Sequence, residues 1–138
     1  MIDRIVKDNK ILGYLEQEIL ESLWERREAS GKEIFDSIRA TRDIALTTVL
    51  TVLERLTRKG LVRKIKGNSV YLFRPEYTKD EFARKASADV FKGIISISAS
   101  GASASFVDML AREHPLELER LAALIDSKKK ELMEKGKR

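Results

Sequence analysis

One stretch, residues 41–73, constrains the fold most, because its hydrophobic pattern changes from a helical to an alternating period. Its first half carries apolar side chains at the i, i+3, i+4, i+7 spacing of an amphipathic helix, at Val49, Val52, Leu53 and Leu56. Gly60 then ends the helix, because glycine readily adopts the left-handed conformation that closes many helices. The segments LVRKIK and SVYLF follow, joined by Gly67 and Asn68, which predict a tight hairpin turn with positive φ. A helix followed directly by a hairpin is the arrangement of a winged helix-turn-helix.

Two shorter helices are predicted before this stretch. The first runs from about Gly13 to near Arg27 and has one apolar side, formed by Leu15, Ile19, Leu20, Leu23 and Trp24. Ser30 and Glu33 form a capping box that opens the second helix, which ends around Ala40. Residues 1–76 are therefore predicted to form a winged-helix domain, with residues 1–11 as an N-terminal arm.

The side of the third helix opposite its apolar stripe is suited to contact with DNA. It carries Thr47, Thr51, Glu54 and Arg58. Hydroxyl and methyl groups meet base edges in the major groove, and cations meet phosphates. Residues 39–76 hold nine Lys/Arg and three Asp/Glu, a net charge of +6, whereas the other 18 basic and 19 acidic residues sum to −1. The alternative is a winged helix used as a protein-interaction module in a larger assembly, but such a module needs no basic groove face.

Residues 77–138 are predicted to be a separate helical region. Thr78 and Glu81 form a capping box for a fourth helix, which is expected to end near Gly93. The small polar segment ISISASGASAS is interpreted as a loop in its central part, ahead of a short helix around 106–110. A last helix follows Pro115, and the charged C-terminal sequence KKKELMEKGKR is expected to fray. The predicted fold class is therefore mainly α with a small antiparallel hairpin.

The apolar stripes of these C-terminal helices need a partner. A helix pair of this size cannot bury such stripes alone, so they pack either on the winged helix or on a second chain. The positions predicted for a dimer contact are Phe82, Val90, Phe106, Leu110, Leu118, Leu121, Leu124 and Ile125.

The composition argues against an enzyme or a metal protein. The chain has no cysteine, which excludes disulfides and thiolate metal sites, and its single histidine, His114, stands beside a proline. It also lacks a glycine-rich phosphate loop, so no catalytic residue, metal or cofactor is expected. No apolar run is long enough to span a bilayer and the N-terminus lacks the apolar core of a signal peptide, so we expect a cytoplasmic protein without a membrane partner.

Four motifs lie in order along the chain: LGYLEQEILESLWE at 12–25, RDIALTTVLTVLERLTRKGLVRK at 42–64, the wing ending in YLFRP, and SFVDML from Ser105. With these motifs the chain resembles the penicillinase-repressor (BlaI/MecI) family of bacterial transcriptional repressors and their copper-responsive CopY relatives. The resemblance covers roughly residues 12–126. It implies a repressor that binds double-stranded DNA as a homodimer through its C-terminal helices, on an operator with dyad symmetry.

The resemblance also implies roles for individual residues. Thr47, Thr48 and Thr51 match groove-facing positions, Leu50 matches a position that touches a thymine methyl, and Arg55 and Arg58 match phosphate contacts. At the tip of the wing the family usually has Gly-Arg. This chain has Asn68 there, so Lys66 is expected to supply the phosphate contact instead.

The absence of cysteine separates this chain from the copper-responsive branch, which holds metal with C-terminal cysteines. The resemblance then leaves the branch controlled by proteolysis, or one with no known inducer. In the protease-controlled branch the motif implies Ser105-Phe106 as the bond cut by a regulatory protease. The family usually has Asn before this phenylalanine, where this chain has Ser105. A segment of Ser, Ala and Gly before the bond is expected to leave the backbone accessible.

Overall fold

The computed structural model describes residues 12–136, which form six helices and three short strands. The predicted N-terminal arm lies outside the described residues. In chain order the elements are α1 (Tyr14–Arg26), β1 (Ala29–Ser30), α2 (Gly31–Arg39), α3 (Leu46–Arg58), β2 (Val62–Lys66), β3 (Tyr71–Pro75), α4 (Lys79–Ile97), α5 (Ala99–Glu113) and α6 (Glu117–Gly136). The mainly helical class with a small antiparallel sheet is confirmed, and α1 to β3 form the predicted winged helix-turn-helix.

The core of the winged helix joins the apolar sides of its three helices to the sheet. The four residues predicted to face inward from α3, Val49, Val52, Leu53 and Leu56, are all buried. They pack with Ile19, Leu20 and Leu23 of α1, Ile34 and Ile38 of α2, and Phe73 of β3. The capping box of α2 is also as predicted, because Ser30 Oγ accepts from the Glu33 amide at 3.2 Å and Glu33 Oε1 accepts from the Ser30 amide at 2.9 Å.

The sheet contains one strand that the sequence did not reveal. Its order is β1-β3-β2, with all pairs antiparallel, and Ala29 and Ser30 lie opposite Phe73 and Leu72. Two residues are too few to show an alternating pattern, and Ser30 carries a helix-capping signal at the same time. The strand covers the edge of β3, so β3 is the central strand of the sheet.

The hairpin between β2 and β3, here called the wing, has a different turn from the one predicted. Residues 67–70 connect the strands, and the Gly67 amide donates to the Val70 carbonyl at 3.0 Å. Among the described residues, φ is positive at Arg27 (72°) and Gly60 (78°) and not at Gly67 or Asn68. The prediction of a tight turn with positive φ at these two residues is therefore wrong. Glycine is required at Gly67 by close packing, since a Cβ there would lie 2.5 Å from the Val70 carbonyl oxygen.

The chain divides into two compact units, Met1–Val90 and Phe91–Arg138, and the division falls inside α4. The first turns of α4 belong to the first unit because they pack on α1. The Phe82 ring lies 5.6 Å from the Trp24 ring, Ala86 is buried, and the Trp24 indole donates to the Tyr77 carbonyl at 2.9 Å. The boundary predicted between residues 76 and 77 precedes these contacts.

In the second unit the predicted loop is helical. Helix α4 continues past Gly93 to Ile97, and α5 begins at Ala99, with Ser98 between them as an N-cap that accepts from the Gly101 amide at 3.0 Å. The loop prediction is wrong because alanine is the strongest helix former and serine hydroxyls can bond within a helix, as Ser103 does to the Ala99 carbonyl at 2.8 Å.

The charged C-terminal sequence expected to fray is helical as far as Gly136, the last residue described, and fraying of its end stays a prediction. Helices α5 and α6 pack against each other, but neither has a fully buried residue. Among the described residues, no helix is long and apolar enough to cross a membrane.

Candidate nucleic-acid interface

Helix α3 presents a continuous polar side to solvent, opposite the four residues that it buries in the core. The side chains predicted to meet DNA from this helix are all exposed: Thr47, Thr48, Leu50, Thr51, Arg55 and Arg58. The two wing residues of the same prediction, Lys66 at the end of β2 and Asn68 in the turn, are exposed as well. The helix and the wing therefore offer these residues without any rearrangement of the core.

Thr51 can meet a base as a hydrogen-bond acceptor or through its methyl group. The Thr51 hydroxyl donates to the Thr47 carbonyl at 2.8 Å, so its hydrogen is used within the helix. Its oxygen keeps lone pairs that can accept from a base amine, and its methyl group can meet another methyl group.

Ion pairs reduce the positive charge that the sequence places in this region. Five of the nine cations in residues 39–76 bind carboxylates, in the pairs Arg42–Glu18, Lys59–Glu16, Arg63–Glu76, Lys64–Glu54 and Arg74–Glu28. Three of these carboxylates, Glu16, Glu18 and Glu28, lie earlier in the chain than the basic segment. The net charge of +6 therefore overstates the free positive charge on the surface.

The cations left over are concentrated where DNA contacts are predicted. Within residues 12–136, Arg55, Arg58 and Lys66 form no salt bridge and are exposed. Arg39, the fourth, lies over the Phe35 ring at 5.5 Å. Two arginines on α3 and one lysine on the wing thus carry positive charge that no salt bridge to a described residue neutralises.

The C-terminal end of α3 is fixed by a nearly buried ion pair. Lys59 Nζ donates to Glu16 Oε2 of α1 at 2.7 Å, and Glu16 Oε1 accepts from the Gly13 amide at 3.2 Å. Burial raises the pKa of Glu16, but these two hydrogen bonds and the charges of Lys59 and Arg55 outweigh it and hold the pKa below its ordinary value. Glu16 therefore stays ionised at neutral pH and ties α1 to α3.

An apolar cleft of about 430 Å³ separates α3 from the wing. Exposed side chains line it from both sides: Leu46 and Leu50 from α3, Val70 and Tyr71 from the wing. Gly31 also lines the cleft, and a Cβ there would lie only 2.4 Å from Cδ2 of Leu50. The absence of a side chain at Gly31 thus leaves the space that Leu50 occupies.

Sequence reasoning missed the pairs that join different elements. Lys64 of β2 binds Glu54 of α3 at 2.7 Å, and the Gly31 contact with Leu50 joins α2 to α3. Neither contact follows from periodicity, since each depends on how the elements pack. The signal in the sequence for the first contact is Glu54, an acidic residue on the outward side of a basic helix, which indicates that a cation from another element lies nearby.

The positions predicted for a dimer contact fall into two groups. Phe82 packs on Trp24 and the core inside the first unit, and its place in a dimer contact stays a prediction. The others are only partly buried or exposed: Val90, Phe106, Leu110, Leu118, Leu121, Leu124 and Ile125. The Phe106 ring lies 6.0 Å from the Phe91 ring within the second unit.

The bond between Ser105 and Phe106 lies inside α5, six residues after its first residue. Its backbone is therefore helical and not extended, contrary to the accessible loop expected around it. No group of three or more His, Cys, Asp or Glu side chains in residues 12–136 is arranged to hold a metal ion.

Comparison with known proteins places this arrangement in a family. The family model described as "Penicillinase repressor" matches residues 12–127. A transcriptional regulator BlaI from Mycobacterium tuberculosis is 30% identical over 118 residues, which cover 84% of this chain and 86% of that protein. The methicillin resistance regulatory protein MecI of Mammaliicoccus sciuri is 27% identical over 92 residues, which cover 62% of this chain and 75% of that protein. The solution structure of the DNA-binding domain of the repressor BlaI aligns at 21% identity with a TM-score of 0.46, covering 51% of this chain and 85% of that domain.

Proposed function

The chain belongs to the penicillinase repressor family of transcriptional repressors, which are not enzymes, and we propose that it represses transcription by binding a dyad-symmetric operator as a homodimer. In this proposal α3 enters the major groove and the wing flanks the adjacent backbone, the usual docking of a winged helix-turn-helix.

The observation that carries the proposal is the location of the unneutralised cations. Arg55, Arg58 and Lys66 are exposed and without a salt bridge to any described residue, whereas most other cations of the segment are paired. Phosphate groups of DNA are the partners that such cations favour, because each contact releases condensed counterions. A protein-interaction module has no need to leave these three charges unpaired on one helix and its adjoining wing.

Roles for the remaining residues follow from their chemistry. Thr47, Thr48 and Thr51 would meet base edges with hydroxyl oxygens and methyl groups, and Leu50 would contact a thymine methyl. Asn68 stands at the wing turn, where its amide can bond a sugar or phosphate oxygen.

The homodimer is supported by the second unit. Helix α5 exposes Val107 at 42% and Met109 at 46%, and α6 exposes Leu124 at 57% and Ile125 at 46%. Neither helix has a fully buried residue. An exposed apolar surface of this kind is typically covered by another chain. A twofold dimer would present two copies of α3, and this symmetry is the reason to expect a dyad in the operator.

Control by proteolysis at Ser105-Phe106 requires α5 to open first. Proteases bind extended backbone, and this bond lies within α5. A regulatory protease would therefore have to act on a locally unfolded α5.

The assignment of roles on α3 can be tested with two substitutions that differ in kind. Thr51→Val keeps the shape but removes the hydroxyl oxygen, so discrimination at one base pair should fall by about 1 kcal/mol while random DNA is bound as before. Arg58→Ala should weaken cognate and random DNA alike and lower the slope of log K against log salt by about one.

Fluorescence anisotropy with cognate and random duplexes over a salt series measures both effects. Arg84→Ala on α4, also an exposed arginine, is the matched control and should leave both the affinity and the salt slope unchanged. Equal losses on cognate and random DNA for Thr51→Val and Arg58→Ala would show that α3 is not oriented as proposed.

A further inference from the structure

Glu54 is the one acidic residue on the outward side of α3. It lies three residues after Thr51 and four before Arg58, so these side chains are neighbours on the helix surface. Its side chain is 50% exposed. A carboxylate at the centre of a surface that faces DNA repels phosphates, and its presence there requires a compensating contact.

In the free protein that contact is supplied by the wing. Lys64 Nζ lies 2.7 Å from Glu54 Oε1, and the same ammonium lies 4.3 Å from the centroid of the Tyr71 ring. Lys64 is directly opposite Phe73 in the β2–β3 pairing, with Tyr71 two residues away on the same side, so the strand register fixes this stacking. The ammonium is thereby held beside the carboxylate of α3.

This pair is easily exchanged for contacts with DNA. Both partners are partly exposed, Lys64 at 33% and Glu54 at 50%, and exposed ion pairs contribute little to stability. Lysine can turn its ammonium from a carboxylate to a nearby phosphate without moving the strand, because its four-carbon stem is flexible. The carboxylate of Glu54 is then free to contact a base edge.

We propose that Glu54 is a specificity-determining residue that accepts a hydrogen bond from the exocyclic amine of a cytosine in the major groove, while Lys64 turns to a phosphate. An ionised carboxylate can only accept hydrogen bonds, and the donors in the major groove are N4 of cytosine and N6 of adenine. Adenine places its N7 acceptor beside N6, which repels a carboxylate, so cytosine is favoured. This inference rests on the proposed function and specifies what the site reads.

The test uses the full chain and the operator that it selects. Exchanging C·G for T·A at the position read by Glu54 replaces an amine donor with the O4 acceptor, and should lower wild-type affinity about tenfold or more. In Glu54→Ala the same exchange should change affinity by less than about twofold. Affinity for random DNA should rise in this variant, since a repulsive charge is removed.

Lys64→Met is the matched control, because it breaks the same ion pair from the other side. It should keep the cytosine preference and weaken binding to cognate and random DNA together. If the pair served only to position the wing, Glu54→Ala and Lys64→Met would have the same effect on every duplex. The fluorescence of Trp24, the only tryptophan, verifies that both variants are folded.

The outcomes separate this inference from the proposed function. A wild-type protein that binds no duplex DNA refutes the proposed function. A wild-type protein that binds its operator but has no cytosine preference, or Glu54→Ala that keeps the full preference, refutes the role of Glu54 alone.

Discussion

The ion pair between Glu16 and Lys59 should determine how the winged helix responds to acid. Glu16 is only 8% exposed, and its carboxylate binds both Lys59 and the Gly13 amide. In Glu16→Gln the ammonium of Lys59 loses its charged partner in a mostly buried setting, and we expect a loss of roughly 1–3 kcal/mol in the free energy of unfolding at pH 7. With a urea m-value of about 2 kcal/mol/M, that loss lowers the midpoint by about 0.5–1.5 M.

The pH dependence of this loss has a definite sign. The pKa of Glu16 is lowered in the folded state, so its contribution is fully present above the pKa of the unfolded chain, about 4.5. The contribution disappears as the pH falls from there through the folded-state pKa, because the proton then binds both states. The difference between wild type and Glu16→Gln should therefore be constant from pH 6 to 8 and shrink below about pH 4.5.

Urea unfolding followed by Trp24 fluorescence measures the difference at each pH, since this indole packs in the first unit with Phe82. Glu18→Gln is the control, because Glu18 lies on the same helix as Glu16 and forms an exposed pair with Arg42, so the change should alter stability by less than about 0.5 kcal/mol. A difference between wild type and Glu16→Gln that stays the same from pH 3 to pH 8 would refute the reasoning.

Two further predictions follow from the packing around α3 and from the helical state of α5. Gly31→Ala places a Cβ 2.4 Å from a methyl group of Leu50, whose partly exposed side chain can turn away. Operator affinity should therefore fall severalfold while the unfolding midpoint changes little, and a large loss of stability with unchanged affinity per folded molecule would contradict this. In limited proteolysis followed by mass spectrometry, the Ser105-Phe106 bond should stay intact after the termini are trimmed, because it lies within α5. Early cutting at that bond would show that α5 is not stably helical there.

Much of the winged helix could be predicted because its signals are local. The period of Val49, Val52, Leu53 and Leu56 decides which side of α3 is buried, and the capping box at Ser30 decides where α2 begins. The outward residues of α3 then follow from the same period. These features depend on neighbours within one or two turns of the chain.

Features that depend on packing between elements could not be predicted in this way. Glu16 and Lys59 are 43 residues apart in sequence, so no local pattern links them. Strand β1 is too short to show a period, and the role of Gly67 comes from the nearby Val70 carbonyl, not from its own φ. The low complexity of the Ala/Ser segment around Ser98 predicts a loop, but the segment is helical because alanine favours a helix.

The central claim is that two copies of α3 read a symmetric site on DNA, and selection of binding sites from random duplex DNA tests it most directly. The full chain should enrich a motif with dyad symmetry, its half-sites about one helical turn apart, and enrichment should weaken steeply between about 50 and 200 mM salt. A selection that returns no symmetric motif, or enrichment that does not depend on salt over this range, would contradict the account.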